Sequence, residues 1–251
     1  MFMNTRQKKI LSVVIEEYTN TAIPVGSDVL VKKYNLKVSS ATIRNDMNEL
    51  EDEGLLYQPH VSSGRIPTDE GYRYFIEEIM KDKDLSREEQ QKLQRELLKL
   101  KAQNKRLTKT TAKLLSILSG NLAVSGIPNK DEFAEFGMRD LLDQPEFKKL
   151  DEVCRLAEIL DSIDVNVDKL TKGLKIGETK IFIGKENPVL QMPDCAMMVL
   201  PYKLKSGERG VLALIGPKRM KYAKNKSLLN YMKKILGAPV VLIIAANTLN
   251  L

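Results

Sequence analysis

The chain has 251 residues, 43% of them hydrophobic and 29% charged, and its 40 Lys and Arg against 33 Asp and Glu leave a formal charge of +7. Two cysteines in no CxxC spacing, Cys154 and Cys195, and a single histidine, His60, exclude a disulfide framework, a zinc site and His-dependent catalytic arrangements. There is no apolar leader before a small-residue cleavage site, and the longest apolar stretch, 238–246, is too short for a bilayer and contains Pro239, so a soluble cytoplasmic protein is expected.

The charge is unevenly spread. Residues 1–80 carry 9 basic and 12 acidic side chains, 81–120 carry 11 and 5, and 121–251 carry 20 and 16. A basic sum invites a nucleic-acid partner, but its distribution matters more than its size.

In chain order, residues 5–19 place Ile10, Leu11, Val14 and Tyr18 at helical spacing, with Thr5 as the expected N-cap. Pro24 and Gly26 interrupt, and Ser27 then caps a short helix, SDVLVKKY. Ser39 opens a third helix that Gly54 stops; Ile43, Met47 and Leu50 make its buried face. A short strand at Leu55–Tyr57, a Ser/Gly loop from Pro59 to Pro67 and a helix capped by Thr68 follow. Three helices, a hairpin and a closing helix are the order of a winged helix-turn-helix, assigned to residues 1–80.

From Leu93 the apolar residues step by four and three: Leu93, Leu97, Leu100, Asn104, Leu107, Thr111, Leu114 and Leu118. This heptad seam reads as a long helical linker, 81–120, that pairs helices between chains, with Asn104 setting register, the alternative being a solvated amphipathic helix packed on its own domain. Gly120 to Pro128 reads as linker. Helices at 138–143 and 146–162, strands at Lys180–Ile183, Cys195–Tyr202 and Gly210–Ile215, a helix at Ala223–Leu236 and a further strand at Val240–Ile244 make 121–251 an α+β domain.

The third helix carries the clearest chemistry. With Ile43, Met47 and Leu50 inward, Thr42, Arg44, Asn45 and Asn48 face outward near its amino end. Arg reads guanine bidentately, Asn reads adenine, and Thr touches a thymine methyl or a phosphate. Asp46, Glu49, Glu51, Asp52 and Glu53 further along would repel phosphates, so only the amino-terminal end is expected to enter the groove, with Ser39 and Ser40 and the helix dipole toward the backbone. In the following loop, Arg65 is expected at a minor groove or phosphate, with Ser62, Ser63 and His60 as further DNA-contacting candidates.

The run PVGSDVLVKKYNLKVSSATIRNDMNELEDEGLLYQPHVSSGRIPTDEGYRY resembles the amino-terminal domain of the HrcA family of heat-inducible transcription repressors. QPEF at 144–147, IGKEN at 183–187 and GVLALIGPKRMKY at 210–222 resemble that family's carboxy-terminal blocks, in the same order. The resemblance implies a homodimer that binds an inverted-repeat operator upstream of chaperone operons, is aided by a chaperonin of the GroEL type, and has a GAF-like carboxy-terminal domain. It also implies a departure. Family members are longer, with a β-rich segment and inserted subdomain for which 120–144 leaves no room, which moves dimerisation to the heptads or to the remaining sheet. Ser40 stands where the family commonly has proline, and Lys218 and Lys221 where it has Thr and Asp.

No P-loop, GxSxG, HExxH or ordered Cys–His pair supports an enzyme, and no cofactor or metal is expected. The alternative is a ligand-sensing winged-helix regulator unrelated to heat shock, which needs a cavity lined by Met197, Val199, Leu212 and Leu214.

Overall fold

The computed structural model describes residues 3–34, 38–102, 107–130, 132–148, 150–161, 163–189 and 192–237. The chain forms two compact units, one of residues up to Lys81 together with Lys218–Lys221, the other of Asp82–Pro217 and residues from Tyr222 onward.

The first unit opens with α1 (Thr5–Thr21), whose cap is Asn4 rather than the expected Thr5. Asn4 accepts from the Gln7 backbone N–H while the Gln7 side chain accepts from that of Asn4, a reciprocal box that satisfies two otherwise orphaned donors. Helix α2 (Ser27–Tyr34) and α3 (Ser40–Asp52) follow, α3 capped by Ser39 as predicted and left through Gly54 at φ +73°. Strands β1 (Leu56–Tyr57) and β2 (Ile66–Pro67) pair antiparallel as the wing, and an isolated bridge joins Val25 to Arg65 at its base. The backbones cross closely there. A Cβ on Gly64 would lie 2.3 Å from the Val25 carbonyl carbon, so only glycine passes without displacing the bridge. Helix α4 (Asp69–Tyr74), capped by Thr68, continues into a π-turn at Phe75–Ile79. Ile10, Leu11, Val14, Leu30, Ile43, Met47, Leu50, Leu56 and Tyr72 form the buried core.

Within the second unit the expected linker 81–120 is part of the fold. It contains two helices, α5 (Arg87–Ala102) and α6 (Leu107–Ser119), and α5 packs on α6. Leu93, Leu97 and Leu114 are buried inside this unit and Leu107 is half-buried, so these side chains are covered by their own chain and do not form an open seam for another. Asn104 and the Leu100 side chain lie outside the described residues, as does the expected strand at Val240–Ile244.

The supposed linker after Gly120 is also structure: β3 (Leu122–Ile127) and β4 (Glu132–Phe136). With β5 (Lys180–Ile183), β6 (Cys195–Lys203) and β7 (Arg209–Pro217) they make an antiparallel sheet in the order β4-β3-β7-β6-β5. The β6–β7 hairpin turns at Ser206–Gly207 as expected.

Helices cover both faces. Leu122, Val124, Met197, Val199, Val211 and Ile215 pack with Leu141 of α7 (Met138–Leu142), Leu156 of α8 (Leu150–Asp161) and Leu170 of α9 (Ile163–Thr171). The opposite face is covered by α6, over β3 and β4, and by α10 (Tyr222–Gly237), over β6 and β7. Strand alternation therefore divides the supposed ligand cavity: Met197 and Val199 face one layer, Leu212 and Leu214 the other, and all four are fully buried core. The α+β class is the one expected. Among the described residues no helix is long and apolar enough to cross a membrane.

Candidate nucleic-acid interface

Four residues of α3 at helical spacing, Ala41, Arg44, Asn45 and Asn48, are exposed along one stripe, opposite the buried Ile43, Met47 and Leu50. Ser39 holds the amino end in place: its Oγ accepts the Thr42 N–H at 3.1 Å and lies 2.9 Å from the Thr42 hydroxyl. Ser40 does a different task from the one expected. Its hydroxyl donates to Asp28 at 2.5 Å and accepts from Ser27 at 2.9 Å, fastening α2 to α3. The proline that the family resemblance places there would lack both bonds.

The acidic residues of α3 are not a uniform repulsive strip. Asp46, with only 3% of its side chain exposed, takes a two-point bond from Arg6 on α1, Nε to Oδ2 at 2.7 Å and Nη2 to Oδ1 at 2.9 Å. That bonding raises the Arg6 pKa above its ordinary value. Glu49 accepts from Gln7 of α1 at 2.7 Å. Glu51 accepts the Arg65 Nε at 2.8 Å and the backbone N–H of Gln58 at 3.0 Å. Three carboxylates thus bind α3 to α1 and to the wing, and only Asp52 and Glu53, at the far end, remain exposed without such a bond among the described residues.

The wing is ordered by its own side chains. The Ser63 backbone N–H donates to the His60 carbonyl at 2.9 Å, closing a four-residue turn whose two central residues are Val61 and Ser62. Ser63 Oγ accepts from the His60 N–H at 3.0 Å and lies within bonding distance of the His60 and Gly64 carbonyls. Gln58 donates to the carbonyls of Val61 and Ser63, at 3.0 and 2.7 Å. Ser63 is therefore a turn-former, while Ser62, His60 and Val61 are exposed, Val61 by 99%.

Arg65 differs most from expectation. Its side chain is only 11% exposed, and besides Glu51 it bonds the Asn48 carbonyl oxygen of the side-chain amide. It joins the wing to α3 and is not extended toward solvent. Asn48, on the outward stripe, is the acceptor in that bond.

Arg44, Gln58, Val61, Ser62, Ser63, Gly64 and Arg65 line one groove of about 470 Å³ with the start of α2, and its far wall is the Val25–Asp28 segment. Sequence reasoning does not single out Gln58 and Val61, and it reads Glu51 only as a carboxylate that repels phosphate. A carboxylate three residues past Asn48 followed by an Arg in the wing is a signal only once the wing is known to fold back on α3. Among the described residues, no three His, Cys, Asp or Glu side chains are arranged to hold a metal, and Cys154 and Cys195 are free thiols.

Comparison with known proteins agrees with this geometry. Residues 32–61 match the model of a DeoR-like helix-turn-helix domain, spanning the last turn of α2, all of α3 and the first half of the wing. Residues 68–225 match the model of the HrcA protein C-terminal domain. The heat-inducible transcription repressor HrcA of Pelotomaculum thermopropionicum is 27% identical over 336 residues, covering 94% of this chain and 97% of its own. That of Natranaerobius thermophilus is 27% identical over 323, covering 89% and 93%. Both alignments are longer than the 251 residues of this chain, so the relatives carry segments it lacks. A crystal structure of a hypothetical protein shares the fold, with a TM-score of 0.70 at 19% identity over 94% of this chain and 98% of that one. With its carboxy-terminal family block matched across more than half its length, this chain belongs to the HrcA family.

Proposed function

We propose that the protein is a transcription repressor that binds an inverted-repeat operator upstream of chaperone operons as a homodimer, in the cytoplasm, with a chaperonin of the GroEL type promoting its activity. The observation that carries the DNA reading is the outward stripe of α3. Arg44 and Asn45 stand exposed behind a Ser39 cap, flanked by the wing apex, while the helix's inner carboxylates are turned to Arg6, Gln7 and Arg65. Arg and Asn side chains at the amino-terminal part of a recognition helix supply bidentate contacts to guanine and adenine, and the helix N-terminus favours the phosphate. Two symmetric units require two half-sites, and occupancy of such a site blocks polymerase.

The test is a footprint on the upstream regions of this organism's chaperone operons, with and without chaperonin, followed by Arg44→Ala. One bidentate contact is worth about 1–3 kcal/mol, so the specific Kd is expected to rise about 5- to 150-fold with loss of discrimination at one base pair per half-site. Equal binding by both proteins removes Arg44 from the reading set. Absence of any protected inverted repeat overturns the heat-shock assignment.

A further inference from the structure

The sheet of the second unit ends at β4, and among the described residues no strand pairs with its outer side. An edge of this kind offers unpaired N–H and C=O groups to another strand. Helix α6 lies over β3 and β4 alike and leaves one narrow exposed stripe, Lys109, Lys113 and Ile117, at i, i+4 and i+8. Ile117 is 58% exposed, and Phe136 at the end of β4 is 37% exposed with the Lys113 ammonium 5.7 Å from its ring centre. Bonding and packing to α6 place Glu132 and Phe136 on one face of β4: Thr108 donates to Glu132 at 2.6 Å, and Lys113 covers Phe136. A basic and apolar helix stripe thus borders an acidic strand, Glu132 and Glu135, along a single edge.

We propose that this edge pairs with the same edge of a second copy, β4 against β4 antiparallel about a two-fold axis at Ala134, continuing the sheet across the dimer. The arrangement is self-complementary, as a two-fold interface requires. Centred on Ala134, the register sets Phe136 opposite Glu132 of the second copy, and the Lys113 ammonium over Phe136 then meets that carboxylate. The symmetric contact forms at the other end. Strands are spaced by about 4.8 Å, so two α6 helices straddling β3 and β4 stand about 10 Å apart across the axis, at the distance where helices pack. Ile117, exposed in one copy, is covered there. The proposal deepens the homodimer of the operator-binding reading and is tested apart from DNA.

The experiment is sedimentation of the full chain with two variants. Ile117→Lys removes an exposed side chain from the interface and leaves the core intact, so its melting temperature is expected to stay at the wild-type value while the dimer dissociation constant rises at least about tenfold. Ala134→Cys in a Cys154→Ser background places two thiols on the axis. Facing residues of an antiparallel pair have Cα atoms about 4.5 or 5.5 Å apart, both within disulfide range, so a mild oxidant is expected to link two chains. A wild-type chain that sediments as a monomer overturns the proposal and leaves the edge to this chain's residues 240–246 or to another protein. A dimer that neither links at residue 134 nor weakens in Ile117→Lys also overturns it and puts the interface elsewhere. The second outcome leaves the operator reading untouched; the first also removes its homodimer, while DNA binding itself is read separately by the footprint.

Discussion

Replacing Arg65 by Ala separates a residue that holds the wing from one that holds DNA. The guanidinium, 11% exposed, bonds Glu51 at 2.8 Å and the Asn48 side chain, while Glu51 is 32% exposed. Losing a hydrogen bond to a charged group costs about 1.5–3 kcal/mol in a buried setting, and an exposed ion pair is worth about 0–1 kcal/mol. Partial exposure of Glu51 puts this set between the two, at about 2 kcal/mol. For a domain of this size each kcal/mol moves the melting temperature by about 4–8 °C, so the first unit of Arg65→Ala is expected to melt roughly 10 °C lower. Circular dichroism melts and urea titrations read that loss. Fluorescence anisotropy with operator DNA over a salt series, well below the melt, reads the other half. One phosphate contact contributes about 0.9 to the slope of log K against log salt, and Arg65→Ala is expected to change it by far less. An Arg65→Ala protein that melts like wild type while its slope falls by about one would show that Arg65 grips a phosphate and that its bond to Glu51 is incidental.

Two further predictions concern the buried helices and the acid limb. Leu97→Ala truncates a buried side chain and is expected to cost about 2–5 kcal/mol by urea titration without changing the oligomeric state below its melt; dissociation at unchanged stability would restore the heptads as an interchain seam. Glu17 accepts from Lys33 at 2.6 Å and from the Tyr34 hydroxyl at 2.9 Å, and the Lys33 bond chiefly lowers its pKa. A folded pKa below the unfolded one gives stability that is present above the unfolded value, about 4.3, and lost as pH falls through the folded value. Glu17→Gln should therefore flatten the fall in urea midpoint below about pH 5, and an unchanged acid limb would exclude Glu17 as a contributor.

Much of the first unit was legible because its signals are local. Ser39 and Thr68 as caps, Gly54 as a stop and the spacing of Ile43, Met47 and Leu50 act within one turn of their own chain. The orientation of the α3 carboxylates was not legible, since their partners Arg6, Gln7 and Arg65 come from other elements. The same limit misassigned Arg65 and Ser40, whose residue types suit DNA but whose neighbours claim them first. Regular leucines from 93 to 118 misled for another reason. A helix buried against its own domain shows the same period as one paired with a second chain. Strand β3 reads as linker in the sequence because Ala123, Ser125 and Gly126 weaken its β signal, and it is set by pairing with β7, far along the chain.

The charge now supports a tighter argument than the sum of +7. Residues 1–80 carry an acidic excess, which Lys81 and Lys218–Lys221 bring to 13 basic and 12 acidic side chains in the first unit. Part of that basic charge is engaged: Arg6 with Asp46, Lys33 with Glu17, Arg65 with Glu51 and Lys218 with Asp69. Non-specific affinity follows the number of phosphates that cations neutralise, so a unit with few cations to spare holds random DNA weakly. In the proposed reading, base contacts from Arg44 and Asn45 add discrimination, but two side chains alone do not make a tight site. Joining two such units raises the effective concentration of the second half-site contact, and avidity then exceeds either affinity without any new contact. In the proposed mechanism the nearly neutral first unit makes dimerisation a condition of repression: one copy alone binds too weakly to occupy an operator, while two copies on correctly spaced half-sites do so. Whatever separates the two copies then relieves repression without altering a single DNA-contacting residue.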